Sequence, residues 1–184
     1  MIFPRECFFI LPLLTIAGAN HGPEVHDINK RSAQESCAEI SKPSTFTISN
    51  TQYIKVEGRD PIDPMLNSTT IAFEVVNNAN GVTVGCSRIN VMHDGKYPDD
   101  SKYWSDCQDL SLEVDGTSYP LTTNANFLWN EWKLSVNQSW NCGGATVRHI
   151  STVTLSPTCN ETRSPYQYLN ECSAPKVESP ARSQ

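Results

Sequence analysis

The stretch from Leu134 to Cys159, LSVNQSWNCGGATVRHISTVTLSPTC, constrains this chain most, because two extended patterns follow one another there between cysteines. Leu134, Val136 and Trp140 fall to one side of an extended backbone and Ser135, Asn137 and Ser139 to the other, the period-two pattern of a half-buried strand. Gly143 and Gly144 then permit a sharp change of direction. From Ala145 to Leu155 the β-branched residues Thr146, Val147, Ile150, Thr152, Val153 and Thr154 suit a pleated surface, and Pro157 ends the run.

Upstream, the pattern repeats. Phe46 and Ile48 alternate with threonine and serine, and Tyr53 to Val56 reads as a second strand. Ile71, Phe73 and Val75 alternate up to Asn80-Gly81, and Val82, Val84 and Cys86 resume beyond it. This is a hairpin signal, since Asn-Gly accepts the positive backbone angles of two-residue turns. Leu110, Leu112 and Val114 alternate before Asp115-Gly116, and Phe127 and Trp129 start a further strand pair that returns through Trp132. No helical stripe is sustained. The expectation is an all-β fold, an antiparallel β-barrel or sandwich of about eight to ten strands, stapled by disulfides.

The front of the chain reads as an address. Arg5 precedes the apolar run Cys7 to Ile16, which is too short for a membrane span and suits a signal peptide, with Ala17-Gly18-Ala19 as the cleavage site. A polar stretch then ends at Lys30-Arg31, a dibasic processing signal. The expected organisation is a signal peptide at 1–19, a propeptide at 20–31, one β domain at 32–172 and a disordered tail at 173–184, where apolar content is low. The expected location is extracellular.

Charge excludes some partners. Residues 1–31 carry Arg5, Lys30 and Arg31 against Glu6, Glu24 and Asp27, so the remainder keeps the net charge of −6. An acidic chain with scattered Lys and Arg argues against nucleic acid and against an anionic membrane surface.

Seven cysteines are present, and Cys7 lies in the leader. The even set that remains, in an oxidising route, argues for disulfides. Many pairings are possible. Cys86–Cys107 and Cys142–Cys159 each flank a local connection, which leaves Cys37–Cys172 to tie the ends. No metal or cofactor is expected: there is no C-x-x-C, and His93 and His149 are the histidines beyond Arg31. Secretion gives meaning to the sequons at Asn67, Asn137 and Asn160, with Asn67 favoured by its turn-rich surroundings.

The connection between Cys86 and Cys107, SRINVMHDGKYPDDSKYWSD, is the most individual segment. It gathers His93, Asp94, Tyr97, Asp99, Asp100, Tyr103, Trp104 and Asp106, a composition suited to recognition because rings offer large contact area at low entropic cost. A competing role for Trp104 is packing over the Cys86–Cys107 bridge. Catalysis has weaker support. There is no Gly-x-Ser-x-Gly elbow, and His149 sits mid-strand, where a half-exposed strand residue is expected rather than a base. Trp129, Trp132 and Trp140 recur at strand spacing, as core packing or as a sugar-stacking platform.

Three motifs, NGVTVGCS at 80–87, KYWSDC at 102–107 and LSVNQSWNC at 134–142, together with the leader, resemble the fungal secreted proteins typified by the major allergen of Alternaria. That family includes elicitors and effectors of plant-associated fungi. The resemblance covers roughly residues 44–160 and implies a β-barrel or sandwich with two internal disulfides among Cys86, Cys107, Cys142 and Cys159. The long acidic Cys86-to-Cys107 connection, Cys37 and Cys172 depart from the pattern. Because some members dimerise through an extra cysteine, the resemblance allows a monomer or a dimer linked through Cys37. It carries over no catalytic residues. It suggests an effector- or elicitor-like protein, not an enzyme, that binds a host extracellular protein of the defence class. The alternative is a carbohydrate- or small-ligand-binding module, and a small secreted hydrolase ranks third.

Overall fold

The computed structural model describes residues 37–59, 67–98, 102–114 and 116–184. The expected signal peptide, the propeptide, residues 32–36 and the aspartates Asp99 and Asp100 lie outside the described residues.

Alternation becomes two antiparallel sheets packed face to face, a sandwich rather than a closed barrel. In the first, β1 (Thr45–Gly58) is central. It is flanked on one side by β2 (Ser68–Asn77) and then β3 (Thr83–Val91), and on the other by β10 (Gln167–Ala174) and then β9 (Thr158–Arg163). The second sheet is built on β6 (Thr117–Leu128), β7 (Lys133–Cys142) and β8 (Ala145–Thr154), with β4 (Ser105–Asp106) and β5 (Leu110–Val114) both pairing to β6. Residues 37–40 form a helical turn ahead of β1.

Register decides which side chains meet. Phe46, Ile48, Ile71, Phe73, Val75 and Val84 face inward from the first sheet and meet Leu112, Leu121, Phe127, Leu134, Val136 and Trp140 from the second. Each such side chain contributes about 1.5–3 kcal/mol by leaving water. Between β2 and β3 the hairpin is present, but its connection spans residues 78–82, closed by Gly81 N–H donating to the Asn77 carbonyl at 2.7 Å. Gly81 takes φ +72, the left-handed conformation that glycine adopts without a Cβ clash.

Two expected disulfides are corrected. The structure joins Cys86 to Cys107, Cys37 to Cys142 and Cys159 to Cys172, not Cys142 to Cys159 or Cys37 to Cys172. The reason is topological: after β8 the chain leaves the second sheet and enters β9 of the first. Cys159 there lies directly opposite Cys172, with Cα atoms 4.0 Å apart, while Cys142 stays beside the helical turn, 5.8 Å from Cys37. All six described cysteines are thus bonded within the chain.

The tail is also corrected. β10 runs on to Ala174, β11 (Val177–Pro180) pairs with Thr45–Ile48 of β1, and β12 (Arg182–Ser183) pairs with β8. Backbone pairing supplies what apolar content does not, and buried Ser179 accepts a hydrogen bond from Ser151 at 2.7 Å and donates one to the Thr152 carbonyl at 3.1 Å. The last ten residues therefore bridge the two sheets. Among the described residues no helix is long and apolar enough to cross a membrane.

Candidate functional site

Alternation along β1 puts Tyr53 and Lys55 on one face, and their register extends that face sideways through Thr69 of β2 and Asn90 of β3. At this end the first sheet outreaches the second, and the β6–β7 connection supplies the opposite wall with Trp129, Asn130 and Glu131. The connection is held by Glu131 N–H donating to the Leu128 carbonyl at 3.1 Å and Leu155 N–H to the Trp132 carbonyl at 2.7 Å. Tyr97, from the segment after β3, closes the side. The result is a cleft of ≈ 400 Å³ between the sheets, in the range of small-molecule sites.

Tyr53, Tyr97 and Trp129 bring three rings to its lining. Tyr53 packs against Trp129 at 6.0 Å and Trp132 at 5.0 Å between centroids, and Phe127 meets both tryptophans edge-on from the core. These contacts fix the rings in place. Burial, followed by the charges of Tyr97, Tyr168 and Glu57, pushes the Tyr53 phenol up to about 12, so it stays protonated. Burial also raises Tyr97, against the opposing pull of Lys55. The Tyr97 hydroxyl is buried without a hydrogen-bond partner among the described residues.

Beside the cleft, Lys55, Arg59 and Arg163 cluster with Glu57 and Glu161. Lys55 Nζ is 2.7 Å from the Glu57 carboxylate, and that hydrogen bond holds its ammonium above the usual range. Tyr168 is ringed by Lys55, Arg59 and Arg163 at 5.3–5.9 Å from its centroid and donates to Glu161 at 2.9 Å. The bonds from Tyr168 and Arg163 lower the Glu161 carboxyl. Lys55 and Arg163 are thus paired with carboxylates, while Arg59 lies over the Tyr168 ring.

The residues expected to form one loop surface are divided. Tyr97 enters the cleft, whereas Tyr103 and Trp104 are not among its lining and stand exposed, 65% and 44% accessible. His93 and Asp94 sit in a separate exposed turn, where His93 and Lys96 exchange backbone hydrogen bonds at 2.8 and 2.9 Å and Asp94 takes φ +49. Asp106 accepts from the Asn124 amide on β6. The Tyr103 carbonyl is clamped twice, by Arg88 Nη1 at 2.9 Å and Asn126 Nδ2 at 2.7 Å. Both partners lie on strands, so the aromatic pair is anchored where the chain crosses from the first sheet to the second.

Other expected residues fall elsewhere. Trp140 is buried in the core and cannot serve as a sugar platform, while Trp129 and Trp132 lie on a connection rather than in a strand. His149 is fully buried, not half-exposed, because the helical turn and residues just after it cover β8. Asn67 points its amide nitrogen at Met92 Sδ at 3.5 Å and its oxygen accepts from Gly58 N–H at 2.7 Å. Asn137 has a buried Oδ1, and Asn160 is exposed on β9. Tyr53, Lys55 and Glu131 were not singled out from the sequence. The spacing of Tyr53 and Lys55 in a strand was a signal that they share a face, but the wall opposite was not legible.

No protein-family model matches the chain, and no curated protein matches its sequence. Two solved structures, both of the Alternaria alternata major allergen Alt a 1, are similar to it. One aligns with a TM-score of 0.42 and 12% identity over 76% of this chain and 88% of that one. The other aligns with 0.41 and 13% over 77% and 94%. They are structures of the protein that typifies the family named from the sequence motifs.

Proposed function

We propose that the chain is a secreted, effector- or elicitor-like binding protein, not an enzyme, that docks a host extracellular protein through Tyr103 and Trp104. The observation that carries this reading is an exposed aromatic pair on a clamped backbone. Exposed rings are free to enter a partner's pockets, and the double clamp on Tyr103 together with the Cys86–Cys107 bond limits the entropy lost on docking. Asp106, on β4, follows the pair two residues on. A partner with a basic surface around an apolar pocket fits this chemistry, in keeping with the chain's charge of −6. The three disulfides support an extracellular setting. Burial of His149 removes one of the two histidine bases from reach of any substrate.

The test is capture from plant apoplastic fluid, identification of what is retained, and calorimetry on the purified partner. Tyr103→Ala with Trp104→Ala is expected to weaken binding about tenfold or more, as loss of central aromatic anchors does. Equal affinity of parent and folded double variant, or capture of nothing by the parent, would sink the reading.

A further inference from the structure

We infer that the cleft between Tyr53, Tyr97 and Trp129 is a second binding site, separate from the exposed aromatic pair, and that it takes an uncharged saccharide unit. The argument proceeds by matching the lining against ligand classes. An anion finds one cation in the cleft, Lys55, already held by Glu57 at 2.7 Å, and it meets the carboxylate of Glu131. A cation finds a single carboxylate in the lining, Glu131, and shares the cleft with the Lys55 ammonium. A wholly apolar ligand would cover the half-buried Lys55 and the exposed Asn130 and Glu131 of the lining, and a polar group taken from water without a partner is costly.

What remains is a neutral ligand with hydroxyl groups around its edge and an apolar C–H face. Trp129 and Tyr53 provide ring surface in fixed orientation, since each is wedged by other aromatics. Tyr97 holds a buried hydroxyl that no described residue satisfies, and a sugar hydroxyl would satisfy it. Asn130, exposed on the β6–β7 connection, adds an amide that both donates and accepts. The Tyr53 phenol, held protonated, keeps the cleft free of a further negative charge. A volume of ≈ 400 Å³ open to solvent admits one ring of a longer chain, leaving the rest outside.

The experiment titrates the full mature chain with neutral hexasaccharides of β-glucan, xylan and chitin, and with an oligogalacturonide as the anionic control, reading tryptophan fluorescence and calorimetric heat. Saturable binding of at least one neutral hexasaccharide is expected. Trp129→Ala is expected to weaken it about tenfold, and Tyr97→Phe, which keeps the ring and removes only the hydroxyl, about fivefold. Tyr103→Ala with Trp104→Ala is expected to leave saccharide binding unchanged, which separates this site from the docking pair. The inference is overturned if no neutral hexasaccharide binds, if only the oligogalacturonide does, or if binding is indifferent to Tyr97→Phe and to Trp129→Ala in folded protein.

Discussion

The side-chain amide of Asn77 donates to Oε1 of Gln138 at 2.7 Å across the space between the sheets, and both residues are fully buried. Asn80 gives the same oxygen a second hydrogen bond at 3.2 Å, and Gln138 Nε2 donates to Thr123 at 3.1 Å. Asn77 Oδ1 accepts from Ala79 N–H at 2.9 Å, so the network also fixes the turn between β2 and β3. A network of this kind is favourable only while complete, because removing one member strands the others without water. Gln138→Ala is therefore expected to lower stability by about 2–4 kcal/mol, from stranded amides and a cavity together. Urea unfolding of parent and variant measures it, and a change under about 0.5 kcal/mol, the size of an ordinary surface substitution, would refute the role.

Gln138 also marks how far the sequence could be read. Leu134, Val136 and Trp140 identified the inward face of β7, and Gln138 shares their parity. A polar residue at an inward position implies a partner, but Asn77 is on the other sheet, and no local pattern names it. The same limit applies to the cleft: Tyr53 and Lys55 share a face by parity, while Trp129 meets them only because the β6–β7 connection folds over that end. For the cysteines, proximity in the chain favoured Cys142–Cys159, and it failed because β8 and β9 belong to different sheets. The tail was misread from composition, since strand pairing at a sheet edge draws on backbone groups that every residue carries. Alternation thus reported the strands and their faces, and tertiary crossings decided everything that joins them.

The disulfide pairs differ in what they constrain. Cys37–Cys142 links residues 105 apart in sequence, whereas Cys159–Cys172 links residues 13 apart within one hairpin. In the chain-entropy model the first stabilises by about 4.7 kcal/mol and the second by about 3 kcal/mol. Replacing Cys37 and Cys142 by serine is expected to lower the urea midpoint more than replacing Cys159 and Cys172. Non-reducing digestion, with the linked peptides identified by mass spectrometry, tests the pairing itself. A peptide joining Cys142 to Cys159 would contradict the structure.

His149 makes the fold sensitive to acid. Its Nε2 lies 3.0 Å from the Ser41 carbonyl, which can only accept, so Nε2 carries the proton and Nδ1 holds the lone pair. Nδ1 is buried without a partner among the described residues, and Trp140 packs edge-on against the ring at 5.0 Å between centroids. Protonation would place a charge there with no counter-ion. Burial accordingly lowers the His149 pKa, against the smaller opposing effect of the Ser41 bond. An unfolded histidine titrates near about 6.5, so below that pH the unfolded chain binds more protons at this residue than the folded one. Stability is therefore expected to fall as pH drops from about 6.5 toward the lower folded value, and to owe nothing to this group's titration above that window. Ser41 Oγ donates to the Cys37 carbonyl at 2.7 Å, which ties the residue bonded to His149 back to the helical turn. His149→Gln, which keeps an amide donor for Ser41 but cannot titrate, is expected to be less stable at neutral pH and to lose the slope below about pH 6.5. Thermal melts of both proteins across that range decide it: parallel curves would show that His149 is not the titrating group, and convergence on acidification would show that it is.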